Sequence, residues 1–176
     1  MFLKSQNKKY NLKDTKAVIF DFDGTLVDTE HVWTRAKIQI SKHYDRPITE
    51  AETKPFVGLK VIDFVEAIFC DKTETTKQKI VNDIVMQALK AFPDEMVPMP
   101  GAVELVHTFS NHGFKICVCS SASTSAIHLG LQKLGIKACI SLIISGDEVT
   151  FGKPHPEPYL KTIKTRFERP RCMGAV

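Results

Sequence analysis

Residues 18–30 read Val-Ile-Phe-Asp-Phe-Asp-Gly-Thr-Leu-Val-Asp-Thr-Glu. The apolar, largely β-branched run Ala17, Val18, Ile19, Phe20 predicts a buried strand. At its C-terminal end the strand delivers two carboxylates at spacing two, Asp21 and Asp23, which therefore project to one side. Gly24 then permits a sharp departure of the backbone that a residue with a Cβ resists. In open parallel α/β sheets, ligands bind at that end of the strands. Two acids so close repel unless a cation or a shared proton relieves them. The pattern therefore asks for a hard metal such as Mg²⁺, which takes oxygen ligands.

Further along, 114–120 (Phe-Lys-Ile-Cys-Val-Cys-Ser) predicts a second strand, starting after Gly113 and ending at Ser120. Residues 152–160 (Gly-Lys-Pro-His-Pro-Glu-Pro-Tyr-Leu) set Lys153 among prolines that fix the backbone leading into a helix. Taken alone, a serine-rich loop is an ordinary helix cap and a lone lysine an ordinary solvated charge. It is their order behind Asp21 and Asp23 that gives them meaning.

With these three segments in that order, the chain resembles the haloacid dehalogenase superfamily, in its β-phosphoglucomutase-like branch. Within the branch it is most similar to the hexitol and deoxysugar phosphatases. The resemblance implies a Rossmann-like α/β fold with a parallel sheet and an inserted helical cap. It implies phosphoryl transfer with Asp21 as nucleophile, Asp23 as general acid and base, and Asp21 and Asp23 as ligands of Mg²⁺. Ser120, the Ser121 amide, Gly24, Thr25 and Lys153 are then the expected phosphate contacts. A fourth element, a strand ending in an acidic pair, is expected next, yet no acidic residue follows Glu168. Residues 172–176 resemble the start of that strand. The expectation is a chain that stops before those acids, as a fragment, a truncated reading frame or a natural short form. It also follows that one edge of the strand at 17–22 is left open.

The remaining periodicity predicts how the parts are arranged. Helices are expected from about 29 to 44, at 60–70 and at 74–92, giving a four-helix-like insertion over 29–97. The α/β core then comprises 1–28 and 98–176, rejoined through the proline-rich stretch 96–101. Helix 101–111, strand 114–119, helix 124–134, strand 140–145 and helix 156–167 complete it. Helices alternating with short apolar strands argue for a parallel sheet covered on both faces. An insertion directly after the first motif is expected to close over the site and to read the leaving group. Its candidate specificity residues are Glu30, Trp33, Gly58 and Lys60, with Gly58 as a bend turning Lys60 toward the cleft. His31 and His155 are expected to be surface groups, and Trp33 also fits as helical core.

Composition narrows the function classes. At 176 residues with 43% hydrophobic and 25% charged side chains, the chain can bury a real core. No apolar run approaches a membrane span. The first ten residues are too polar for a secretory signal, so the expected compartment is the cytoplasm. The net charge of +4 is concentrated in the N-terminal stretch at Lys4, Lys8, Lys9, Lys13 and Lys16. Without stacking aromatics these read as a solvated tail rather than a nucleic-acid surface. Five cysteines, an odd number without zinc-like spacing, read as reduced thiols. The expected partner is a small phosphorylated metabolite. A phosphosugar mutase and a catalytically silent phosphate- or protein-binding form are the alternatives.

Overall fold

Three short parallel strands organise the molecule, in a computed structural model that describes residues 2–5 and 8–167. An antiparallel hairpin of β1 (Phe2–Ser5) and β2 (Lys8–Asn11) comes first, where the sequence reads as a tail. Strand β3 (Ala17–Phe20) follows. The chain then turns through 21–26 into the two-residue strand β4 (Val27–Asp28) and enters a run of helices. These are α1 (Glu30–His43), the single turn α2 (Glu50–Thr53), α3 (Val61–Ile68) and the long α4 (Glu74–Glu95). Strand β5 (Val97–Pro98) pairs antiparallel with β4, so the chain leaves and re-enters the α/β part through one narrow ribbon. Helix α5 (Ala102–Asn111), strand β6 (Lys115–Cys119), helix α6 (Thr124–Lys133), strand β7 (Ile140–Ile144) and helix α7 (Glu157–Phe167) complete the order.

The sheet runs β3-β6-β7, all parallel, with Phe20 opposite Val118 and Cys119 opposite Ile144. β6 is flanked on both sides, and Ile116 to Cys119 are all buried. Among the described residues β3 is an edge, and only Phe20 of its four residues is fully buried. The fourth-motif reading at 172–176 lies outside the described residues.

The helical run departs from the sequence reading in its proportions. The helices between 29 and 97 are mainly α1, α3 and α4, with α2 only one turn long. α4 runs on to Glu95 through Pro93, three residues past the expected end. Pro93 sits in the last turn, and Lys133 Nζ donates to the carbonyls of Phe92 (3.1 Å), which also accepts the Met96 amide, and Pro93 (2.5 Å), placing a cation at the helix C-terminus.

One contact ties the core directly to the carboxylate turn. Phe22, between Asp21 and Asp23, is fully buried. Its ring lies against Gly130 of α6, where a Cβ would stand 2.2 Å from Phe22 Cζ. Gly130 is there because the ring occupies the space a side chain needs. Gly130→Ala should therefore cost about 1–3 kcal/mol through overpacking, despite alanine's better helix propensity. A thermal melt reads it as a Tm several degrees lower; an unchanged Tm would show that the ring can move aside.

Candidate active site

The turn after β3 is built by hydrogen bonds that leave both acids on one side. The Gly24 amide donates to the Val27 carbonyl (2.8 Å), and the Leu26 amide donates to Phe22 (2.8 Å). Gly24 has φ +70°, the left-handed conformation that glycine adopts without penalty. With Phe22 pinned in the core, Asp21 and Asp23 both face the cavity at the end of the sheet.

Asp21 carries an ion pair. Its Oδ2 lies 2.7 Å from Lys153 Nζ, and its Oδ1 accepts from the Phe22 amide at 2.7 Å. Lys153 also donates to the Cys119 carbonyl (3.0 Å) at the end of β6, so one ammonium joins β3, β6 and the loop before α7. Burial works against that charge, but the hydrogen bond and negative charge of Asp21 outweigh it and hold Lys153 above the ordinary lysine value. The loop is fixed in turn by Glu157, whose carboxylate accepts the amides of Thr150 and Phe151, each at 2.9 Å.

Asp23 is enclosed by donors. Its Oδ1 accepts from Thr29 Oγ1 (2.5 Å) and Trp33 Nε1 (2.8 Å), and Ser120 Oγ approaches Oδ2 at 3.4 Å. Burial pushes its carboxyl above the ordinary range; the Thr29 and Trp33 hydrogen bonds pull it back only in part, and the charge of Asp21 adds to the rise. Thr29 is the N-cap residue of α1, but its hydroxyl makes no cap bond and serves Asp23 instead. Trp33 is helical core, as one of its two readings has it: the ring packs edge-on to Phe92 at 5.6 Å, while the indole N–H donates to the Asp23 carboxylate, a contact the sequence did not suggest.

The cavity above these groups is lined by Asp21, Asp23, Ser120, Ser121 and Ala122 from the sheet side. Glu30, Trp33, Lys37, Phe56, Gly58, Leu59 and Val61 line it from the helical side. Ser121 Oγ donates to the Gly58 carbonyl at 2.7 Å, a direct tie between the two halves. Gly58 is the anticipated bend, with φ +77°.

Lys60, however, stands away from this cavity. Its amide is taken by Asp63 at the start of α3 (3.0 Å), its aliphatic stem lies over Gly152, and Nζ donates to the Val149 carbonyl at 3.2 Å. Gly24 and Thr25 are exposed members of the turn, not cavity-lining residues. His31 is exposed beside Asp28 and Glu95, and His155 packs on Phe151, both at the surface as anticipated.

Three residues escape the sequence reading. Thr29, like Asp28, reads from the sequence alone as a candidate cap of the first helix. Lys37 falls one turn after Trp33, on the same face of α1, and is buried at 4% exposure. Glu157 acts through the loop it fixes. Among the described residues, no cluster of three or more His, Cys, Asp or Glu side chains is placed to hold a metal. The two carboxylates still suit Mg²⁺ in kind, since that ion commonly takes one or two carboxylates together with phosphate oxygens and water. A cation would also relieve the repulsion that Asp21 exerts on Asp23.

No described helix is long and apolar enough to cross a membrane. Pyrophosphatase PpaX of Oceanobacillus iheyensis is 26% identical over 81% of this chain and 65% of its own length. Hexitol phosphatase B of Escherichia coli is 23% identical over 82% of this chain and 66% of its own. The chain thus spans just under two thirds of these relatives. Among solved structures, β-phosphoglucomutase of Clostridium difficile superposes with a TM-score of 0.75 at 21% identity, over 85% of this chain and 70% of that one. CbbY of Rhodobacter sphaeroides, in complex with phosphate, gives 0.75 at 19% identity over 85% and 71%. These two likenesses establish the fold. The family model for haloacid dehalogenase-like hydrolases matches residues 18–170, from the strand that carries Asp21 past the loop that carries Lys153. By that match the chain belongs to the haloacid dehalogenase-like hydrolase family.

Proposed function

We propose that this protein is a Mg²⁺-dependent phosphatase that hydrolyses a small phosphomonoester, a sugar or polyol phosphate, through an aspartyl-phosphate. One observation carries the reading. A carboxylate paired with a lysine at 2.7 Å stands beside a second carboxylate held by a threonine and a tryptophan under a shared cavity. Asp21 Oδ attacks phosphorus, and the leaving alkoxide takes a proton from Asp23. Asp23 then takes a proton from water, whose oxygen attacks the aspartyl-phosphate and releases inorganic phosphate, regenerating both carboxyl groups. The burial that raises Asp23's proton affinity suits the acid half of that cycle. Lys153 and Ser120 face the phosphoryl oxygens. Asp21 and Asp23 would hold Mg²⁺, which would supply charge neutralisation at the phosphate.

In the same reading, 29–97 acts as a cap whose contact with the core through Ser121 and Gly58 must open for substrate to enter, and the protein works in the cytoplasm. The test is phosphate release from a panel of sugar phosphates by the natural full-length protein. Turnover should require Mg²⁺ and fall about 10²-fold or more with a chelator, since a metal supplies several kcal/mol of charge stabilisation. Interconversion of hexose 1- and 6-phosphates without phosphate release would make the protein a mutase. Neither activity would leave it a silent binding form.

A further inference from the structure

Helix α1 presents Glu30, Trp33 and Lys37 at spacings of three and four, one stripe facing the cavity. Trp33 spends its single donor on Asp23. The other two have no such employment. Lys37 is 4% exposed, and its ammonium sits 5.7 Å from the centre of the Phe64 ring. Among the described residues no carboxylate lies within ion-pair distance of it, and no acceptor takes a hydrogen bond from it. The side chain is enclosed but its ammonium keeps access to the cavity: among the described residues the buried side-chain polar atom without a partner is Ser41 Oγ, so Lys37 Nζ is within reach of a ligand oxygen. Burial lowers its proton affinity, with the charges of Glu30 and Asp23 restoring only part. Glu30 is half-buried, and the Thr34 hydroxyl reaches it only at 3.4 Å. The cavity therefore holds one unspent donor and one underused acceptor, beyond the groups that serve the phosphate.

We infer that Lys37 and Glu30 are the pair that reads the leaving group, and that this group is a neutral polyhydroxylated carbon chain rather than a second phosphate. The inference rests on the phosphatase reading above. A hydroxyl is both donor and acceptor, so a polyol satisfies Lys37 through an oxygen lone pair and Glu30 through an O–H. A second phosphate only accepts. It would match Lys37 but bring its charge against the carboxylates of Glu30 and Asp23, a cost that like-charge contacts impose on the wrong ligand.

The decisive comparison uses the natural full-length protein and three probes: sorbitol 6-phosphate, pyrophosphate and p-nitrophenyl phosphate. The unmodified protein should favour sorbitol 6-phosphate over pyrophosphate by about tenfold or more in kcat/KM. Lys37→Met keeps the buried stem and removes the charge. It should lower the ratio of sorbitol 6-phosphate to p-nitrophenyl phosphate kcat/KM by about 10–100-fold, mainly through KM, as expected when a hydroxyl contact is lost. A ratio that stays constant, or a preference for pyrophosphate, overturns the assignment. Lys37→Gln, which restores a neutral donor, should recover part of the ratio and serves if the methionine variant does not fold. Should no probe be hydrolysed, the phosphatase reading falls by itself. Calorimetry in an Asp21→Asn background then decides the pair separately. Lys37→Met should weaken sorbitol 6-phosphate at least about tenfold more than inorganic phosphate; equal weakening, or no binding of either, overturns it.

Discussion

Asp21→Asn should abolish phosphate release, lowering kcat/KM by about 10³-fold or more while leaving the fold in place. The amide that replaces the carboxylate keeps its size but has no charge and little nucleophilicity, so the first bond to phosphorus does not form. The same change strips Lys153 of its counter-charge, removing what outweighs burial and holds its proton affinity up. Unfolding is not the route. Asp21's side chain is 37% exposed, and a solvent-screened pair of this kind contributes about 1 kcal/mol or less. A thermal melt beside the activity assay separates the two, and Asp21→Glu gives a sharper control. It keeps the charge but moves the reacting oxygen by about one bond length, enough to cost about 10²-fold if alignment matters. Residual activity above about a tenth in Asp21→Asn would sink Asp21 as nucleophile.

How much of this was readable beforehand follows from how local each signal is. The strand at 17–20, the paired acids and the glycine turn are neighbours in sequence, so their chemistry appears in one short stretch. Ser120 and Lys153 were legible only through the resemblance to the haloacid dehalogenase superfamily, since a serine-rich loop and a lone lysine otherwise read as a cap and a surface charge. The fold brings both to the end of the sheet where Asp21 and Asp23 stand. Lys37 was not legible in this way, because a lysine on an amphipathic helix ordinarily reads as solvated. Only its place four residues after Trp33 and beside buried Ala36 hinted otherwise. Thr29 looked like a cap because caps and site hydroxyls use the same residue, and the deciding partner, Asp23, belongs to the turn before it. Lys60 was read toward the cleft from the Gly58 bend. The bend is real, but the side chain follows the opening turn of α3 over Gly152, a neighbour 92 positions away that periodicity does not reveal. The N-terminal hairpin went unread because a lysine-rich stretch carries almost no apolar alternation.

Asp23→Asn should give the opposite balance: a nearly inactive protein that melts higher. The loss, about 10²–10⁴-fold, is that of a positioned acid and base. The gain comes from the same environment that makes Asp23 useful. Burial raises its proton affinity in the folded state above the ordinary value of 3.8, so the fold binds that proton more tightly than the unfolded chain does. Its contribution is therefore fully present below the ordinary value and is lost as pH rises through the folded one. At neutral pH the native structure carries an ionised carboxylate in a poorly solvated place. Asparagine removes that charge without orphaning the donors: its oxygen can accept from Thr29 and Trp33, and its amide can turn to Ser120 Oγ. With metal withheld by a chelator, Tm should rise by about 2–4 °C near pH 8 for a chain of this size, and the gap should narrow as pH falls toward 3.8. A lower Tm for the variant at pH 8 would mean that the hydrogen bonds to the carboxylate outweigh its burial. The raised Asp23 would then not be a stability cost kept for catalysis. A higher one would mark Asp23 as a residue held where it harms the fold because the chemistry needs a carboxyl group that keeps its proton.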